Sequence, residues 1–223
     1  MPYYLSLALI IILPILAQIH VSSTFNKYAK VRNARGLTAD QVARQILDSN
    51  GLYNVGIEHI SGKLTDHYDP TANVVRLSDS TFGQTSVAAI GVAAHECGHA
   101  CQHAENHAPI VVRSKLVPVT NICSRLWYFV VLIGAVVFQI FPALVYIGIA
   151  MFGAVVLFQL VTLPTELNAS GRALKTLEND MILEQSEVPQ ARKVLTAAAM
   201  TYVTALVTSL IQLLRLLSSF NRR

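Results

Sequence analysis

Charge is what this sequence has least of. Asp, Glu, Lys and Arg make up 13% of its 223 residues, against 53% for the hydrophobic set, where a soluble globular domain carries about 25% charged residues. That deficit points to a membrane as part of the solvent. Cysteine is scarce as well. Cys97, Cys101 and Cys123 form an odd, low set that excludes a disulfide framework. Cys97 and Cys101 lie four apart on one face of an expected helix. There they either pack as small apolar residues or compete for metal with the histidines beside them. No Arg-rich stripe interleaved with aromatics is present, so nucleic acid is not an expected partner. The net charge of +4 reads instead as membrane topology. Internal repeats and low-complexity linkers are missing too.

What is present divides the chain into five stretches. Residues 1–22 hold an uncharged apolar run, 3–19, with no basic residue before it and no convincing small-residue cleavage site after it. A first transmembrane helix is expected there, with a signal peptide as the competing reading. Residues 23–125 carry most of the acidic residues, six of the seven histidines and clear turn signals. Within them 38–47 reads as an amphipathic helix. Thr38 and Gln41 are spaced as a capping box, Val42, Ala43, Ile46 and Leu47 share a face, and Gly51 stops the helix. Strands are expected at 55–60 and 73–77, the second either an edge for an extended peptide or a plain core strand, with a turn at 66–73 around Pro70. An Ala-rich helix follows from Ser86 to about residue 105.

Residues 126–163 contain no charge. As a single helix they would be about 57 Å long, nearly twice the ~30 Å hydrocarbon core. A hairpin of two spans turning at Phe141-Pro142 is therefore expected, with Trp127 and Tyr128 in an interfacial belt. Residues 164–193 then return to the side the chain left. Residues 194–223 hold a last apolar stretch that spans the membrane or packs against the other helices.

The Ala-rich helix contains His95-Glu96-Cys97-Gly98-His99, an H-E-x-x-H motif. Residues i and i+4 share a helical face, so two imidazoles can reach one zinc ion, with the intervening Glu beside them to accept a proton from an activated water. Zinc lowers the pKa of a coordinated water towards ~7 and polarises a carbonyl. The competing reading is a helix with two surface histidines. A catalytic zinc needs a third protein ligand and an open fourth position. Candidates are His103, Glu105, His107 and Glu166. His103 sits one turn too far along a straight helix. Glu166 is favoured, because a carboxylate immediately at a membrane boundary is otherwise unexplained except by a helix dipole. Two crossings between motif and Glu166 bring both to the same leaflet.

Lys27, Lys30, Arg32, Arg35, Arg113, Lys115, Arg125, Arg172, Lys175, Arg192 and Lys193 fall on that side. Arg215, Arg222 and Arg223 fall opposite. Positive residues favour the cytoplasmic face, so the site is expected there, in a plasma-membrane protein. Other candidates are His103 and His107 for substrate or ligand support, Asn168 and Arg172 for orienting a ligand or an oxyanion, and Tyr68 as a donor to the tetrahedral intermediate. The competing readings are solvated helix-end histidines, and Arg172 paired with a lipid phosphate or an acidic residue.

The stretches GLTADQVARQIL, LTDHYDPTANVVRLS, VAAIGVAAHECGHACQHA and PTELNASGRAL resemble the YugP-type family of bacterial membrane zinc metallopeptidases over nearly the whole chain. The resemblance implies Glu166 as third ligand, one catalytic Zn2+, and a zincin-like core with a short sheet against transmembrane helices, a layout similar to that of the HtpX membrane proteases. The chain has Glu166-Leu167-Asn168 where the family pattern leads one to expect Glu-Phe-Asn, a change that leaves the ligand intact.

The expected fold is α+β and predominantly helical: a zincin-like core fused to about four transmembrane helices. The expected function is peptide hydrolysis with Glu96 as general base and a peptide or membrane protein as substrate. A non-catalytic membrane scaffold with a structural zinc is the alternative. A channel or transporter would place charges within the hairpin, which has none.

Overall fold

The computed structural model describes residues 3–220, so Arg222 and Arg223 lie outside the described residues. The elements are α1 (Tyr3–Tyr28), α2 (Ala39–Ser49), β1 (Gly56–Ile60), β2 (His67–Asp69), β3 (Val74–Ser78), α3 (Val87–Ala104), α4 (Ala108–Val136), α5 (Ala143–Asn179) and α6 (Val188–Phe220). The protein is mostly helical with one small sheet. Helices α1, α4, α5 and α6 are each long and apolar enough to cross a membrane.

The chain forms two units. The first comprises Gln18–Ala108 and Thr165–Met200. Its α2 is amphipathic as the sequence pattern requires, burying Ala39, Val42, Ala43, Ile46 and Leu47. The Thr38 N–H donates to Gln41 Oε1 at 3.0 Å, and Gly51, at φ +73°, follows the helix end in the left-handed region that favours glycine. At the start of α3 the Ser86 hydroxyl accepts from the Ala89 N–H at 3.2 Å, satisfying an otherwise orphan donor. Leu47, Leu77, Ile90, Leu177 and Ile182 meet in one core and are all under 2% exposed. Burial of each contributes up to about 1.5–3 kcal/mol.

The sheet has the order β1-β3-β2, with β1 parallel and β2 antiparallel to β3. This decides one open alternative and corrects one expectation. The strand at 73–77 is central, hydrogen-bonded on both sides, and so offers no edge to a peptide. The turn cluster at 66–73 contains a short strand, β2, held by Asp66, whose carboxylate accepts from the Ser78 N–H at 2.7 Å and its hydroxyl at 2.9 Å. Arg76 of β3 pairs with Glu58 of β1 and Asp69 of β2, fastening all three strands. The buried Glu187 carboxylate accepts from the N–H groups of Ala34 (2.7 Å) and Glu184 (2.9 Å), tying the segment after α1 to the α5–α6 turn.

The second unit comprises residues up to Ala17, Pro109–Pro164 and residues from Thr201. Val131, Val145 and Ile149 pack where α4 meets α5, and Trp127 stacks on Phe152 with ring centroids 4.3 Å apart. The backbones are close enough that a Cβ on Gly148 would lie 2.9 Å from the Val131 nitrogen, and one on Gly134 2.8 Å from that of Val145. Helix contacts through small residues are expected where lipid removes the hydrophobic drive for association.

Two helices run further than the charge pattern suggested. Helix α4 begins at Ala108 and takes in Arg113, Lys115 and Arg125, because long basic side chains extend their charged heads towards water from an otherwise apolar helix. Helix α5 passes through Pro164 without ending. A proline costs one backbone bond and a local clash, which a long apolar helix tolerates. Glu166 is therefore inside a helix rather than at its start, and a dipole effect at a helix N-terminus does not account for it.

Candidate metal centre

Helix α3 carries His95 and His99 one turn apart, with ring centroids 4.8 Å apart and planes at 84°. Helix α5 brings Glu166 against them. Its Oε2 lies 3.3 Å from His95 Nε2 and 3.3 Å from His99 Nε2. The three ligand atoms fall within 4.8 Å of one another. Glu166 is only 2% exposed, and His99 is buried. Burial opposes protonation of His99, but the carboxylates of Glu166 and Glu96, together with Gln102, outweigh it and raise the imidazole above its ordinary value. The cluster thus favours positive charge among largely buried side chains.

The close approach of α5 to α3 has a specific cause. A Cβ on Gly98 would sit 2.8 Å from the Ala169 carbonyl oxygen. Only glycine at the fourth motif position lets the α5 backbone come near enough for Glu166 to reach both rings.

The histidines are held from behind by residues the sequence reading did not single out. Gln102 is fully buried. Its Nε2 donates to the Thr165 carbonyl and to Asn168 Oδ1, each at 2.9 Å. Two acceptors fix the amide, so Oε1 must face His99 Nδ1, at 2.9 Å. An amide oxygen only accepts, so His99 Nδ1 carries a proton and Nε2 is the ring nitrogen turned to Glu166. On the other ring, Ser170 Oγ lies 3.0 Å from His95 Nδ1 and can hold it in the same tautomer. The helical spacing was a usable signal: Gln102 follows His99 by three residues and Ser170 follows Glu166 by four, each on the face of its ligand.

Glu96 is buried beside the histidines, and its Oε2 accepts the Tyr68 backbone N–H at 3.0 Å, so β2 orients it. The Tyr68 hydroxyl donates to Asn73 Oδ1 at 2.9 Å and is thereby turned to Asn73. Burial, with Asp69 alongside, raises its pKa. His103 packs on the Tyr68 ring, 5.5 Å between centroids, and shares with it a cavity of about 260 Å3. Arg172 takes up both oxygens of Glu105 at 2.7 Å, the acidic-partner reading, and its Nε donates to Asn168 Oδ1 at 2.8 Å. Asn168 and Arg172 thus hold Gln102 in place rather than joining the ligand atoms. Cys97 is fully buried with Sγ 3.6 Å from the Ala43 carbonyl, and burial pushes its thiol well up. Neither Cys97 nor Cys101 belongs to the ligand cluster among the described residues.

Two imidazole nitrogens and one carboxylate oxygen, converging among largely buried side chains, are a donor set that suits a zinc ion. With a small sheet and four membrane-length helices, that site defines a membrane protein of the zinc-peptidase class. The chain belongs to the family described as "Putative neutral zinc metallopeptidase", whose model matches residues 3–221. A relative from Bacillus subtilis (strain 168), described as "Putative membrane protease YugP", is 45% identical over 204 residues, covering 92% of this chain and 90% of the relative. No solved structure matches the chain.

Proposed function

We propose that the chain hydrolyses peptide bonds at a single zinc ion held by His95 Nε2, His99 Nε2 and the Glu166 carboxylate, with Glu96 as general base. The observation that carries this reading is the convergence of the three ligand atoms within 4.8 Å beside a second, differently oriented carboxylate, that of Glu96. Bound there, zinc supplies Lewis-acid polarisation of the scissile carbonyl and makes water more acidic. Glu96 is pinned through Oε2 by the Tyr68 N–H. Its other oxygen takes the proton of the attacking water and afterwards delivers it to the leaving amine. Gln102 and Ser170 keep the Nδ1 protons of the two imidazoles away from the ligand face, and the Arg172–Asn168 pair keeps Gln102 from rotating.

A structural zinc closes all its coordination positions with protein atoms. Only three ligand atoms converge among the described residues, which supports the catalytic reading over a scaffold. Lys27, Lys30, Arg32, Arg35, Arg172, Lys175, Arg192 and Lys193, all in the unit that carries the site, support a cytoplasmic active site in a plasma-membrane protein. The substrate is a peptide or a membrane protein.

The test uses purified full-length protein and an unfolded polypeptide substrate. Glu96→Gln is expected to retain zinc at the wild-type level and to cleave about 100- to 10,000-fold more slowly. Cleavage at the wild-type rate would remove Glu96 as the base.

A further inference from the structure

A second cavity in the same unit has no part in this chemistry. It has a volume of about 420 Å3 and lies between the end of α1 and the start of α6, lined by His20, Thr24, Lys27, Arg192, Lys193 and Thr196 among others. Among the described residues no acidic side chain lines it. Among the described residues, none of the three cations forms an ion pair. The walls are fixed: Phe25 and Tyr28 of α1 are buried in one cluster with Val194 of α6 and Ala88 of α3. The cations therefore surround a built groove rather than waving from separate loops.

The position of the groove along its helices says what enters it. On α1 it begins at His20, where the apolar run 3–19 stops, and the residues just before it include the exposed Ile15, Leu16 and Ile19. On α6 it begins at Arg192, immediately before the apolar run 194–217. Both helices thus change from lipid-compatible to charged at this level, and a ligand here meets cations and hydroxyls on one side and apolar helix surface on the other. The positive-inside tendency explains basic residues near this level. It does not explain why three of them, two threonine hydroxyls and no carboxylate line one cavity.

We infer that this groove binds the phosphodiester headgroup of an anionic phospholipid from the surrounding bilayer, with Lys27, Arg192 and Lys193 as the charge partners and Thr24 and Thr196 as donors. Basic pockets between transmembrane helices are suited to anionic headgroups, and each Lys or Arg near the surface adds to the attraction.

The experiment titrates detergent-solubilised full-length protein with short-chain phosphatidylglycerol, short-chain phosphatidylcholine and inorganic phosphate, read by native mass spectrometry. Three proteins are compared: wild type, Lys27→Gln/Arg192→Gln/Lys193→Gln, and Lys30→Gln/Lys115→Gln/Arg125→Gln, which loses the same charge at exposed positions outside the groove. The expected result is retention of phosphatidylglycerol by wild type and by the outer triple variant, with phosphatidylcholine and inorganic phosphate weak. Loss of three cations is expected to weaken phosphatidylglycerol about 100-fold in the groove variant. Equal weakening in both triple variants would overturn the site in favour of general surface charge. Equal binding of phosphatidylcholine, or displacement by inorganic phosphate at concentrations comparable to the lipid, would overturn the anionic-lipid assignment. Zinc content reports whether the groove variant has folded. If it has not, Thr196→Trp, which fills the cavity and keeps every charge, decides: it must also lose the lipid.

Discussion

The two units of this protein use glycine for the same geometric purpose to different ends. In the helical unit, Gly134 and Gly148 let α4 and α5 approach within backbone contact, and what results is packing. In the other unit, Gly98 admits the α5 backbone to α3, and what results is a carboxylate delivered to two imidazoles. Around the first contact the neighbours are apolar and aromatic. Around the second they form a connected polar chain running from His99 through Gln102 and Asn168 to Arg172 and Glu105. Close helix contact is thus a general means of assembly in a membrane protein. It becomes a chemical site only where buried polar groups are supplied with partners.

The strongest way to break this comparison is a matched pair of substitutions. Gly98→Val and Gly148→Val both overpack a close contact, at a cost of about 1–3 kcal/mol or more in stability. Both should lower the thermal midpoint in detergent. Only Gly98→Val should release zinc from the fraction that remains folded, as measured by metal content after gel filtration. Equal zinc loss in the two would mean that the Gly98 contact has no special role in placing Glu166.

A smaller effect is expected at Gln102. Gln102→Leu keeps the volume but removes the acceptor for His99 Nδ1–H and the bridge to Thr165 and Asn168. Loss of such an outer partner costs about 10- to 100-fold in metal affinity. Competition with a chromophoric chelator measures it, and Gln102→Glu, which restores an acceptor at His99, should recover part of the loss. Unchanged affinity in the Leu variant would show that the relay is only packing.

The smallest effect lies in the sheet. Arg76 holds Asp69 down to about 2, with the backbone N–H groups of Ala72 and Thr71 helping. An Asp69 pKa depressed on folding adds stability that is complete above the ordinary carboxylate range and is lost as pH falls towards 2. The wild type should therefore lose slightly more thermal stability than Asp69→Asn between pH 5 and pH 2. The pair is solvent-accessible, so the difference is small. Identical pH profiles would show that the three-strand clamp contributes nothing.

Much of this was legible in the sequence, for identifiable reasons. The H-E-x-x-H spacing is a direct consequence of helical geometry, the apolar periodicity of 38–47 marked α2, and the uncharged run 126–163 required more than one crossing. The rest depended on contacts between distant segments. Strand β2 is three residues long and sits among Asp66, Pro70 and Asn73, so its local signals read as a turn. Pro164 signals a helix boundary locally, yet α5 continues through it. Gln102 and Ser170 are ordinary polar residues until α5 is laid against α3. Only then does a seven-residue stretch, Pro164 to Ser170, turn out to contain the carboxylate that meets both imidazoles, the serine beside His95 and the groups that hold Gln102 against His99.

The most direct measurement is zinc bound per chain at equal, buffered free zinc for wild type and Glu166→Ala, both purified full length. A three-ligand centre predicts about one ion per wild-type chain and a marked fall in the variant, with folding intact by circular dichroism. Undiminished zinc in Glu166→Ala would contradict it, because the metal would then be held by some group other than the carboxylate that α5 brings to His95 and His99.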